Sequence, residues 1–207
     1  MNETSIPPSA EEALSSAALP ALQRSTWGMW SFLASDAMTF AALLASAGVL
    51  RRENHDWPSS TAAILNLRMA IVMTALLLMS SVLMVSALSG VKRNNHTRFR
   101  KYLLLTILCG TAFVALQGFE WNHLLHEGMT MTQNPWGAGL FGTTFYVLTG
   151  FHGLHVLGGV LYLTGILLNG LWGRYHADNY AAVEIAGLYW HFVDIVWIFV
   201  FAFVYLL

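Results

Sequence analysis

The chain has 207 residues, of which 56% are hydrophobic and 10% charged, and its formal net charge is −1. Soluble domains carry about a quarter charged residues, so this composition is typical of an integral membrane protein. The net charge provides no basic field for nucleic acid, and this class of partner is excluded.

Residues 1–24 form the first segment, which contains three prolines, several serines and three glutamates. It has no basic region followed by an apolar one, so it does not fit a cleaved signal peptide. We interpret residues 1–24 as an N-terminal arm, extended or partly helical, at the membrane surface. Residues 25–207 are predicted to form a single transmembrane domain.

Five apolar segments follow, each near or above the roughly 20 residues that a spanning helix needs. They run approximately over residues 27–50, 64–90, 102–125, 140–172 and 180–207. Short polar loops connect them. The sequence therefore predicts an all-α polytopic membrane protein, a single bundle of five transmembrane helices.

The distribution of basic residues predicts the orientation of the bundle. The loop between the second and third spans contains Lys92, Arg93, Arg98, Arg100 and Lys101, whereas the loop between the third and fourth contains none. The positive-inside rule then places the N-terminus in the cytoplasm and the C-terminus outside. Three arginines oppose this orientation and are outnumbered: Arg51, Arg52 and Arg68.

The fifth segment carries ionisable residues in its first half. His191 and Asp194 are three residues apart, so on a helix they share a face and can share a hydrogen bond or a proton. Ionisable groups within a span are costly and usually turn inward. This face is therefore predicted to contact other helices, a cavity or a partner.

Other spans also contain ionisable residues. Asp36 lies about nine residues, or roughly 14 Å, into the first helix. A carboxylate at that depth has to be protonated, hydrogen-bonded or in contact with water, because an isolated charge is penalised by desolvation. Glu120 and His123 are three residues apart on the third helix, as are His152 and His155 on the fourth.

Three interpretations of these polar residues stay open. Glu120 and His123 form the ExxH unit of di-iron bundles, but the second unit and two further carboxylates are missing. A proton or ion path would also place an Asp, a Glu and several His in the bundle interior. However, five helices without inverted repeats make a poor secondary transporter. In the third interpretation these groups fix helix positions through hydrogen bonds to one another, to lipid headgroups or to a partner subunit.

Several long stretches carry a family resemblance. WGMWSFLASDAMTF at 27–40, FGTTFYVLTGFHGLHVLGG at 141–159 and WHFVDIVWIFVFAFVYL at 190–206 resemble signature stretches of subunit III of the haem-copper terminal oxidases. LQGFEWNHLL at 116–125 is similar to the same family. The resemblance covers essentially everything after the N-terminal arm. The chain resembles the five-helix bacterial form of the subunit, which lacks two N-terminal helices that the seven-helix members have.

The resemblance implies an accessory subunit without a cofactor of its own. In the family, subunit I carries the haems and copper, reduces oxygen to water and pumps protons. Subunit III packs mainly against subunit I, with subunit II and small subunits in the same complex. A lipid-filled cleft splits its helices, and it supports proton uptake and stability during turnover. The implied location is the bacterial inner membrane.

The resemblance also implies roles for individual residues. None is catalytic or binds a cofactor or metal; the lipid-cleft or structural polar positions are Asp36, Glu120, His123, His152, His155, His191 and Asp194. For Asp36, Glu120 and His123 we expect lipid-headgroup or interhelical contacts. For His191 and Asp194 we expect a hydrogen-bonded pair.

The resemblance leaves the partners and the electron donor open. Position 36 is Glu in many cytochrome c oxidases and can be Asp in quinol oxidases, so reactivity attributed to that Glu does not carry over to Asp36. Cytochrome c is the expected electron donor and quinol the alternative. A related subunit associated with nitric oxide reductases shares much of the pattern and is a rival assignment.

Overall fold

The computed structural model of the chain describes residues 10–58 and 61–206. Its helices are α1 (Ala10–Glu53), α2 (Thr61–Ile64), α3 (Leu67–Lys92), α4 (His96–His126), α5 (Gly139–Leu171) and α6 (Ala181–Phe201), followed by a π-helical turn (Ala202–Leu206). Within the described ranges, α1, α3, α4, α5 and α6 with its π-helical turn are long and apolar enough to cross a membrane. The predicted all-α polytopic fold with five spans is confirmed.

Helix caps explain where the observed boundaries differ from the predicted ones. The Asn66 side chain accepts a hydrogen bond from the backbone N–H of Met69, so α3 begins after position 64. Asn95 accepts in the same way from Arg98, and α4 begins several residues before position 102. The basic residues from Arg98 onward therefore belong to the first turns of α4, where we had expected a loop.

The first helix is longer than its apolar segment. Helix α1 runs for 44 residues from Ala10 to Glu53. Residues 10–24 of the expected surface arm are therefore helical and continuous with the first span, while residues 1–9 lie outside the described part of the chain. The position of this arm at the membrane surface remains a prediction.

Helix α6 lies at the centre of the bundle. It packs against α1, α3 and α5, and its span is the most buried of the five. The ring of Trp190 lies between Gly110 on α4 and Gly159 on α5: a methyl group on either glycine would come within 3 Å of that ring. Small residues let helices and large rings approach closely where lipid removes the hydrophobic drive to associate.

The two ends of the bundle carry different connections. At one end, called here the α4–α5 end, lie the α1–α2 and α4–α5 connections and the π-helical turn. At the opposite end, called the α3–α4 end, Lys92 forms a salt bridge of 2.7 Å with Glu184. The Asn94 side chain there accepts a hydrogen bond of 2.7 Å from the backbone N–H of Ala177. These contacts join the α3–α4 turn to the α5–α6 connection.

Candidate functional site

Asp36 on α1, which is buried, and His155 on α5, which is half-buried, form a pair. Asp36 Oδ1 lies 3.1 Å from His155 Nε2. The other ring nitrogen, Nδ1, lies 2.7 Å from the carbonyl oxygen of Phe151. A carbonyl only accepts, so Nδ1 carries a proton. A second proton has to lie between Nε2 and the carboxyl group, on one or the other, which makes this a pair that shares a proton across a helix contact.

Glu120 near the end of α4 is bound by the last turn of the chain. Its side chain is 3% exposed, and the Tyr205 hydroxyl donates a hydrogen bond of 2.6 Å to Oε2. The backbone N–H of Asn66 approaches the carboxylate without completing a hydrogen bond, so Oε1 has no partner among the described residues. The contact that sequence reasoning missed is Tyr205, because it lies 85 positions away.

His123 lies one turn beyond Glu120 but points elsewhere. It is 60% exposed, and its Nδ1 lies 3.5 Å from Glu127 Oε1 on the same helix. Within residues 10–58 and 61–206, no group of three or more His, Cys, Asp or Glu side chains is arranged to hold a metal ion. The ExxH spacing thus has no converging ligand set in this part of the chain.

The expected hydrogen bond between His191 and Asp194 is wrong. His191 Nδ1 instead lies 2.6 Å from the Ser81 hydroxyl on α3. Asp194 is 4% exposed, and the Ser81 hydroxyl lies near its carboxylate without completing a hydrogen bond to either oxygen. The spacing of three does place the two residues on one face of α6. However, the imidazole of His191 pairs with Ser81 on the neighbouring helix and not with Asp194.

Two tryptophans add to the polar contact between α3 and α6. Trp190 Nε1 donates to the Ser80 hydroxyl at 2.8 Å, and Trp197 Nε1 donates to the Thr74 hydroxyl at 2.9 Å. Hydrogen bonds of this kind hold helices together within lipid. A signal was present in the sequence: hydroxyl residues six apart within an otherwise apolar segment, and tryptophans seven apart in another.

His152 and His155 are three residues apart and both contact the ring of Phe40, but only His155 has a polar partner. Its ring is fully buried, and its centroid lies 5.0 Å from that of Trp197, 5.7 Å from Phe113 and 6.4 Å from Phe40. Neither ring nitrogen has a hydrogen-bond partner within the described ranges. His152 therefore packs as one ring of an aromatic cluster.

The ionisable groups are distributed over separate helix contacts. Asp36 and His155 join α1 to α5, Glu120 joins α4 to the last turn, and His191 joins α3 to α6. No hydrogen bond in the described part of the chain links one of these contacts to another. Within the described ranges, each of these groups thus lies at a contact between two elements of the bundle.

An apolar groove runs along the outside of α4 and α5. Its volume is about 500 Å³, and its lining includes Gly118, Gly150, Gly153 and Leu154. Gln117, which also lines it, donates to the backbone carbonyl of Thr149. The groove lies along the spanning parts of α4 and α5, where a membrane would surround it with apolar lipid chains.

Comparison with known proteins identifies the family. Residues 10–207 match the family model for cytochrome c oxidase subunit III. The probable cytochrome c oxidase subunit 3 of Nocardia farcinica is 37% identical over 175 residues, 84% of this chain and 83% of that protein. The cytochrome c oxidase subunit 3 of Bacillus subtilis is 33% identical over 87% of this chain and 84% of its own. The probable quinol oxidase subunit 3 of Staphylococcus saprophyticus is 30% identical over 87% of each. The chain therefore belongs to the cytochrome c oxidase subunit III family and is a member of an oxidoreductase complex in a membrane.

Proposed function

We propose that the chain is the accessory, non-catalytic subunit III of a bacterial haem-copper terminal oxidase and holds no cofactor of its own. Subunit I of that complex carries the haems and copper, reduces oxygen to water and pumps protons. The observation that carries this proposal is the pairing of polar groups across helix contacts, such as buried Asp36 with His155 and buried Glu120 with Tyr205. Such pairs hold a scaffold together.

The proposed partners are subunit I, as the main contact, with subunit II and small subunits. The chain stabilises subunit I and supports proton uptake and stability during turnover. The pair of Asp36 and His155 supports the role in proton uptake, because it holds a proton between two groups inside the membrane. The ring of Phe40 lies 5.2 Å from that of His155 and packs edge-on against it.

Bound phospholipid is part of the proposal. The groove of about 500 Å³ along α4 and α5 has apolar walls and a floor that includes glycines, so an acyl chain can lie deep against the helices. The proposed bundle is split by a lipid-filled cleft, and this groove is where we propose that the lipid lies.

The proposed location is the bacterial inner membrane, with the N-terminus inside. Lys92, Arg93, Arg98, Arg100 and Lys101 all lie at the α3–α4 end of the bundle. This supports placing that end in the cytoplasm.

Cytochrome c is the proposed electron donor of the complex. Quinol is the alternative: Asp36 stands at a position that can be Asp in quinol-oxidase members, and the S. saprophyticus relative is named as a probable quinol oxidase subunit. Titrating the purified complex with reduced cytochrome c and, separately, with a quinol decides between them.

Co-purification tests the proposal. The chain is tagged and extracted in mild detergent, and the reduced-minus-oxidised spectrum is recorded before and after partner subunits are stripped away. We expect haem absorbance in the complex and none in the stripped chain. Haem or iron retained by the stripped chain would indicate a metalloprotein. Absence of haem at every stage would favour a transporter or another assembly.

A further inference from the structure

A pocket lies at the α4–α5 end of the bundle, between the last turns of α1, the first turns of α5 and the π-helical turn. Its volume is about 290 Å³. Four aromatic side chains contribute to its lining: Trp57, Phe141, Phe145 and Phe203. We call it the aromatic pocket. It shares no lining residue with the groove along α4 and α5, so the two are separate sites.

The aromatic pocket is closed on the inside and open toward the membrane. Phe141, Phe145 and Leu148 are each at most 2% exposed and form its floor. Gly48 and Phe203 lie at its edge, where both are exposed on spanning segments. A ligand therefore enters from within the membrane and has to dissolve there. The volume is at the lower end of the range for small-molecule sites, so it suits a single ring system.

Arg51 is the one charged side chain among the described lining residues of the aromatic pocket. It lies in the last turn of α1 and is half-buried. No hydrogen bond, ion pair or ring contact joins it to another described residue. A guanidinium group carries five N–H donors and no acceptor. The pocket thus favours a ligand that carries acceptor oxygens.

The aromatic walls narrow the class of ligand further. The rings of Trp57 and Phe141 stand edge to face, with their centroids 5.4 Å apart. Flat rings pack well against such walls in offset or edge-to-face geometry. A phosphate or carboxylate would bring a full charge into this apolar site, and burying a charge is costly. A ring carbonyl stays neutral and still forms a charge-assisted hydrogen bond with Arg51. A flat, membrane-soluble ring with carbonyl oxygens is a quinone.

We propose that the aromatic pocket binds the head ring of a membrane quinone, with Arg51 donating to a ring carbonyl oxygen. The prenyl tail then leaves the pocket past Gly48 and Phe203 and lies among the lipid chains. The Thr144 hydroxyl donates to the carbonyl of Leu140 at 2.8 Å, so its oxygen is left to accept from a hydroxyl of the reduced ring. The pocket therefore takes both oxidation states, and no electron transfer is assigned to it. This inference goes beyond the proposed function, because it adds a ligand to the subunit whichever molecule donates electrons to the complex.

Photolabelling of the whole complex tests the inference. The tagged complex is washed free of quinone, equilibrated with a tritiated azido-benzoquinone that carries a short prenyl tail, and irradiated. The subunits are separated, and the label on the tagged chain is counted as the probe concentration rises. We expect saturable labelling, and Arg51→Gln should raise the apparent Kd about 10- to 100-fold, because a hydrogen bond from a charged donor is lost. The matched control Arg52→Gln changes an exposed neighbour outside the lining and should leave the Kd unchanged.

A second variant keeps the test decisive if Arg51→Gln fails to assemble. Gly48→Leu fills the aromatic pocket without altering Arg51, and a methyl group at position 48 would meet nothing within 4 Å. It should abolish saturable labelling. Gly28→Leu, at an equally open position of the same helix outside the lining, should not.

Two results would overturn the inference. The first is unchanged labelling in both Arg51→Gln and Gly48→Leu. The second is displacement of the label by palmitate or phosphatidylglycerol but not by unlabelled quinone, which would indicate an anionic amphiphile. Haem absorbance of the same samples reports separately on the proposed function, so either proposal can fail while the other stands.

Discussion

Gly110→Ala should destabilise the bundle through the ring of Trp190. A methyl group at position 110 would lie 2.5 Å from Cη2 of that ring and 2.8 Å from a methyl group of Val160. The ring cannot move away freely, because it also packs against Gly159 and its Nε1 donates to Ser80. The substitution therefore adds a methyl group at a site where the neighbouring atoms leave no space for it.

The magnitude follows from two opposing effects. Overpacking costs about 1–3 kcal/mol, and replacing glycine by alanine within a helix returns about 0.5–1 kcal/mol. The net loss is about 0–2.5 kcal/mol, which corresponds to a fall in the unfolding midpoint of up to roughly 10 °C for a chain of this size. Thermal unfolding of the detergent-solubilised complex, followed by release of the tagged chain, measures the shift.

Gly118→Ala is the matched control, since it lies on the same helix and a methyl group there would meet nothing within 4 Å. It should leave the midpoint unchanged or raise it slightly. The double variant Gly110→Ala with Trp190→Phe, in which the smaller ring leaves room for the methyl group, should lose less than the sum of the single losses. Equal midpoints for Gly110→Ala and Gly118→Ala would refute the wedged position of Trp190.

Three further predictions concern the buried polar groups. In a double-mutant cycle, Asp36→Asn and His155→Ala should show a coupling of about 1.5–3 kcal/mol, because each removes the same charge-assisted contact. Tyr205→Phe should lower the free energy of unfolding by about 1–3 kcal/mol, because it leaves Oε2 of Glu120 without its hydroxyl donor, in addition to the unpaired Oε1. Asp194→Ala should leave the haem spectrum and the first turnovers intact, because no hydrogen bond within the described chain is broken. It should shorten the period of activity, because truncating a side chain that is 4% exposed leaves a cavity between helices.

Each of these predictions has an outcome that contradicts it. Additive effects of the Asp36 and His155 variants would mean that the two side chains do not interact. For Tyr205→Phe, the control is Tyr162→Phe, which removes a hydroxyl from a residue that is 41% exposed. An equal loss of unfolding free energy in both variants would mean that the hydrogen bond to Glu120 adds nothing to stability. An Asp194→Ala complex that lacks haem or is inactive from its first turnover would place Asp194 in the chemistry itself.

The sequence predicted the five spans because their signal is local. A run of about 20 apolar residues suffices to identify a spanning helix, and the caps at Asn66 and Asn95 then moved boundaries by a few residues. The hydrogen-bond partners of the polar side chains were harder to predict. Spacing along one helix shows which side chains share a face, but not which residues of other helices that face contacts. His152 and His155 have the same spacing, yet one packs among aromatic rings and the other binds Asp36 on α1.

The stretch at 190–206, which resembles the family, contains three aromatic side chains that donate hydrogen bonds to other helices. Trp190, Trp197 and Tyr205 are each at most 1% exposed, and each donates its polar hydrogen to another helix. The acceptors are Ser80 and Thr74 on α3 and Glu120 on α4. In this chain, the stretch therefore supplies the contacts that dock α6 and its π-helical turn against α3 and α4.

The spacing within that strip explains the π-helical turn. Trp190 and Trp197 are seven residues apart, which keeps them on one face of an α-helix, but Tyr205 follows after eight. In a regular α-helix the eighth residue would lie about 80° around the axis from Trp197. The π-helical turn over Ala202–Leu206 takes up one additional residue, so the Tyr205 hydroxyl returns to the interior and reaches Glu120. The irregular end of α6 is therefore what allows the last turn of the chain to cover the buried carboxylate of α4.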